Sequence, residues 1–142
     1  MRTGTNSLRH VAAWPLIMVM AIVNGTIRDF TYGRFLGERL AHSLSVFPLL
    51  LGIFAVALWL ARRWPLPSLA ATAGVGAIWL ALTLSFEFGL GTAAGRPMAE
   101  LLEQYDLVHG NLWPLVPLTM ALAPAVVRRL MTTFLGSRRA TS

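Results

Sequence analysis

Cysteine is absent from the 142 residues, which excludes disulfides, thiolate metal sites and thiol nucleophiles and leaves the redox state of the compartment open. Charge is scarce too. Only 13% of residues are charged, against about 25% in ordinary soluble domains. Lysine is missing altogether, so all twelve basic residues are arginine. What fills the chain instead is apolar: 56% of residues are hydrophobic and the mean hydropathy is +0.62, a membrane composition. The formal charge of +6 does not point to nucleic acid. A nucleic-acid domain gathers its basic residues on one soluble face, whereas these arginines flank apolar runs, the pattern that orients membrane helices.

The apolar runs divide the chain into a single membrane domain, 1–142, with spans expected at about 10–28, 41–61, 69–89 and 111–128. The first follows a short polar head carrying Arg2 and Arg9. A positive head before a short apolar run imitates a secretory signal, but no small-x-small cleavage site follows and further apolar spans do. Pro15 is tolerated in the first turn of this helix. The second span stops against Arg62, Arg63, Trp64, Pro65 and Pro67, with tryptophan beside arginine as an interface anchor. In the third, Ala70, Ala71, Gly74 and Ala77 form a small-residue stripe that would admit a neighbouring helix. Three prolines, Pro114, Pro117 and Pro124, make the fourth the least regular, with a kink expected near Pro124.

Four spans place both termini on one side. Arg2, Arg9, Arg62, Arg63, Arg128, Arg129, Arg138 and Arg139 fall on that side, against Arg28, Arg34, Arg39 and Arg96 on the other. The positive-inside rule then predicts cytoplasmic termini in a multi-pass protein, with membrane lipids as neighbours. The two outward connections are expected to carry short interfacial helices at about 30–40 and 97–109. In the second, Met98, Leu101, Leu102 and Tyr105 recur at helical spacing, behind Pro97 and ahead of Gly110. In the first, Gly33 and Gly37 would leave a groove for close packing. The connections also align with each other: Gly33-Arg34, Glu38 and Leu40 match Gly95-Arg96, Glu100 and Leu102, and Phe47-Pro48-Leu49-Leu50 resembles Trp113-Pro114-Leu115-Val116. This suggests a tandem helical-hairpin repeat about an axis along the membrane normal.

The combination of Asn24-Gly25, Arg28, Leu36-Gly37-Glu38, Ala41-His42, Phe86-Glu87-Phe88, Leu101-Leu102, Tyr105-Asp106 and Gly110-Asn111-Leu112-Trp113 resembles a group of uncharacterised small bacterial four-helix inner-membrane proteins. The resemblance covers most of the chain apart from its ends. It implies a bacterial inner-membrane location and no activity.

Ionisable groups in a membrane are expensive and should find partners inside the bundle. The expected polar cluster comprises Asn24, Arg28, Glu38, His42, Glu87, Asp106 and Asn111, with Arg28–Glu87 and Glu38–His42 as the expected pairs. Such a cluster reads first as a network that fixes helix register; the alternative is an outward pocket that relays a proton or, less readily, binds a metal. No His-x-x-x-His or Glu-x-x-His ligand pair occurs, so no metal or cofactor is expected. Trp79 reads as helix packing, and the Gly89–Gly95 stretch follows a helix rather than a strand, which argues against a nucleotide loop. Three function classes remain. The favoured one is a structural or accessory membrane protein that joins its own copies or a larger membrane complex. The alternatives are an oligomeric transporter, channel or small-molecule carrier using the Arg/Glu/His cluster, and a membrane enzyme acting on a lipid or quinone.

Overall fold

The computed structural model describes the backbone of residues 2–140 and the side chains of residues 4–133. Among these described residues seven helices follow one another: α1 (Arg2–Ala12), α2 (Trp14–Phe30), α3 (Gly33–Leu36), α4 (Glu38–Arg63), α5 (Leu69–Ala93), α6 (Met98–Glu103) and α7 (Leu115–Ala140). Among the described residues four stretches are long and apolar enough to cross a membrane: Gly4–Phe30, Glu38–Arg63, Leu69–Ala93 and Leu115–Thr133. The four expected spans are therefore present as helices, each longer than predicted or shifted at its ends.

The first stretch is helical from its polar head onward and is interrupted at Ala13. Pro15 is the cause, since it has no N–H to return to the carbonyl of Val11, and the chain restarts as α2 with Pro15 in its first turn. Downstream, α4 continues through Pro48 and α7 through Pro124. The turn between α4 and α5 ends with Ser68, whose hydroxyl accepts from the Ala71 N–H at 3.1 Å as an N-cap.

Packing runs α2 on α4, α4 on α7 and α7 on α5, with α1 laid back against α5. A core of Ile17, Val46, Ile53, Leu60, Trp79, Met120 and Ala123 lies where these helices meet. Trp79 is fully buried, in keeping with the packing role expected of it. The contact face of α5 is not the predicted stripe. Thr72, Val75, Gly76, Trp79 and Thr83 are buried, whereas Ala70, Gly74 and Ala77 are exposed. The close approach is made at Gly76, where a methyl group would collide with the backbone of Ala121 in α7, while a methyl at Gly74 would meet open space. Composition could locate a small-residue stripe but not the rotation of the helix about its axis. The opposite faces of the long helices stay apolar and open: Leu51 is 72% exposed, and Val19, Ile22, Phe47 and Leu118 are each about half exposed or more.

Both connecting helices are shorter than expected. In the first connection α3 is a single turn, and α4 begins as early as Glu38 because Gly37 takes φ +77°, a left-handed conformation suited to glycine. Gly37 is thus a conformational glycine. Gly33 alone provides close packing, its missing Cβ facing the Arg28 carbonyl oxygen at 2.7 Å. In the second connection α6 ends at Glu103. Beyond it Asp106 turns its carboxylate onto the His109 N–H at 3.2 Å, and Gly110 adopts φ +87°. An aspartate that bonds its own neighbouring backbone competes with the helix, which is why the predicted run to 109 stops early. Of its predicted apolar face only Leu101 is deeply buried, against the bare Gly91 of α5, while Met98 and Leu102 are half exposed.

The ends of the bundle differ in charge. Arg9, Arg63 and Arg128 gather at one end, with Arg9 and Arg63 over the Trp64 ring and Arg128 donating to the carbonyls of Leu66 and Pro67. The other end is of mixed charge and holds Arg28, Asp29, Glu38, Glu87 and Arg96.

Candidate functional site at the mixed-charge end

Asn24 and Arg28 stand one turn apart near the end of α2, and His42 and Ser45 face them from the first turns of α4. Asn24 Nδ2 donates to the Ser45 carbonyl at 2.7 Å. Arg28 Nε donates to Asp29 at 2.7 Å, and its Nη1 meets His42 Nδ1 at 2.9 Å. A guanidinium only donates, so Nδ1 must accept, which places the imidazole proton on Nε2. Arg28 therefore clamps α2 to α4 through a histidine.

Glu87, on the last turns of α5, has other partners. The Tyr105 hydroxyl and the Trp113 indole N–H, the latter at 3.2 Å, both donate to its Oε2. Both donors come from the segment between α6 and α7, so this carboxylate fastens the second connection to α5. Trp113 also packs its ring 5.2 Å from that of His42, and Tyr105 stacks on Phe88. Burial, reinforced by the hydrogen bond to Glu87, pushes the Tyr105 phenol above the usual phenol range.

The expected pairing is corrected in both cases. Arg28 does not meet Glu87: it bonds Asp29 and His42, whereas Glu87 bonds Tyr105 and Trp113, whose ring packs on His42. Glu38 and His42 form no ion pair among the described residues. Glu38 is the first residue of α4, where its charge suits the helix N-terminus. It lines an open groove of about 390 Å³ with Arg39, His42, Arg96, Glu100, Glu103 and Asn111, and Asn111 donates to the Glu103 carbonyl at 2.7 Å. Asp106 is not brought into the cluster at all. It pairs with His109 on the surface, and that contact holds its carboxyl below the usual carboxylate range. Among the described residues no group of three His, Asp or Glu side chains is placed to hold a metal ion.

Beside the groove lies an apolar cleft of about 290 Å³, walled by Phe86, Phe88, Leu101, Tyr105 and Trp113 with Glu87 in its lining. Arg96 and Gln104 border both cavities. Tyr105 and Trp113 are the site residues that sequence reasoning missed. Their indole and phenol are apolar bodies with one polar tip, and the helical spacing counted only the body. A second omission lies at the arginine end: His10 is only 2% exposed, its Nδ1 bonded to the Asn6 carbonyl at 2.9 Å, and its own carbonyl accepts the Trp79 indole at 2.9 Å.

The chain matches no protein-family model, no curated protein and no solved structure.

Proposed function

We propose that this chain is a four-span integral protein of the bacterial inner membrane that serves as a structural or accessory subunit, joined to its own copies or to a larger membrane complex. Four apolar helices with apolar, open outer faces support the membrane placement. The gathering of Arg9, Arg63 and Arg128 at one end supports cytoplasmic termini. The long–short–long helix order of each half supports a parallel duplication, although the aligned glycines have diverged, Gly33 being helical and Gly95 at φ +76°.

One observation carries the accessory reading. The polar groups at the mixed-charge end fasten separate elements to one another: Asn24 and Arg28 hold α2 to α4, and Glu87 holds the second connection to α5. Such a latch presents α3 and α6 as fixed surface features for a partner. The test is accumulation in membranes. Glu87→Gln and Arg28→Ala should lower it together with the detergent-resistant native mass; variants that accumulate and assemble normally would sink the latch. For topology, cysteine introduced at Thr31 should be labelled from outside and cysteine at Ser137 should not, and labelling of the latter in intact cells reverses the orientation.

A carrier or binding role is favoured by a different observation, the position of Glu87 in the lining of the aromatic cleft.

A further inference from the structure

We propose that the cleft beside Glu87 is a binding site for a small organic ammonium ion. The inference goes beyond the accessory role and does not depend on it.

Both protein donors to Glu87 go to Oε2, and Oε1 has no protein partner. That oxygen is not sealed in, since among the described residues no fully buried side-chain oxygen lacks a partner. Glu87 itself lines the cleft. A carboxylate oxygen beside apolar walls calls for a positive partner. No ion pair reaches it: Arg28 is held by Asp29 and His42, and Arg96, which also borders the cleft, is turned to Glu100 at 2.8 Å.

The walls complete the argument for a cation. Phe86, Phe88, Tyr105 and Trp113 are aromatic, and aromatic faces attract ammonium ions through their quadrupoles. The surrounding charge has the same sense. The cleft and its adjoining groove carry four carboxylates, Glu38, Glu87, Glu100 and Glu103, against two guanidiniums, Arg39 and Arg96, and the imidazole of His42. This net acidity stands out in a chain of formal charge +6. A volume of about 290 Å³ lies at the lower edge of ligand pockets, which run from roughly 300 to 1,000 Å³. It suits a single-ring or short-chain ammonium ion. The same chemistry is offered by a free cation and by the headgroup of a choline or ethanolamine lipid.

The experiment uses the purified full chain in a maltoside detergent. Benzyltrimethylammonium is titrated against tryptophan fluorescence, with its uncharged isostere neopentylbenzene as the control, each referenced to detergent alone. The cation should bind saturably and at least about tenfold more tightly than the isostere, and Glu87→Gln should remove that preference. Equal affinity for the two probes, or no saturable response, overturns the proposal using the native chain alone, whether or not the Glu87 variant folds. Retained preference in a folded Glu87→Gln protein overturns it as well. Among supporting outcomes, competition by dodecylphosphocholine assigns the site to a lipid headgroup, and binding undisturbed by it assigns a free cation. Loss of membrane accumulation in Glu87→Gln bears only on the latch, because the probe comparison is made on the unaltered chain.

Discussion

The two ends of the bundle solve the same problem with different chemistry. At the arginine end the polar bonds serve backbone carbonyls: the Trp79 indole donates to the His10 carbonyl, and Arg128 donates to Leu66 and Pro67. The first of these repairs a defect. The helix breaks at Ala13, leaving carbonyls at the end of α1 without their usual partners, and an indole from α5 supplies one donor. At the mixed-charge end Asn24 and Asn111 also serve carbonyls, but the further bonds join ionisable side chains to each other and to aromatic tips, and a carboxylate oxygen is left over. A network that serves the backbone holds helices in place. A network of ionisable side chains can also bind or exchange something.

Breaking the first end should cost most. Trp79→Ala removes a fully buried indole and is expected to lose about 3–5 kcal/mol in a reversible detergent-unfolding titration. Trp79→Phe keeps most of the volume and leaves the His10 carbonyl without that donor, for about 1–3 kcal/mol. If the two variants were equally stable, the hydrogen bond rather than the packing would govern this end. Tyr105→Phe at the other end removes one donor to a carboxylate and should cost about 1.5–3 kcal/mol. It also gives the comparison a pH axis. Because the folded state raises the Tyr105 pKa, its contribution is intact below the ordinary phenol value of about 10 and is lost as pH rises past it. Ultraviolet titration should show a late-ionising phenol that disappears in Tyr105→Phe. The smallest effect belongs to Asp106→Asn. The folded-state carboxyl is depressed by an exposed histidine, so any contribution is present above the usual carboxylate range and fades as pH falls. At neutral pH the unfolding midpoint and membrane accumulation should stay those of the parent chain. A marked loss there would show that Asp106 belongs to the cluster after all.

Particular residues show how far sequence reasoning reached into the site. Arg28, His42 and Glu87 were recognisable as expensive charges beside apolar runs, and each has partners. The partners were mistaken because spacing along one helix, as between Glu38 and His42, says only which residues share a face. Whether they bond depends on what approaches from another helix, and Arg28 reaches His42 first. Asp106 was drawn into the cluster by its position in the chain, yet local turn chemistry with His109 is nearer and stronger.

By itself the sequence determined the number and approximate placement of the long helices, the all-helical class and the sorting of arginines between ends. These depend on composition and on runs of residues, which are local properties. The rotation of each helix, the choice of Gly76 rather than Gly74 as the point of approach, and the bonding of Trp113 to Glu87 were decided only by the tertiary structure. They follow from how side chains of distant segments fill the same space, and that competition has no signature along a single chain.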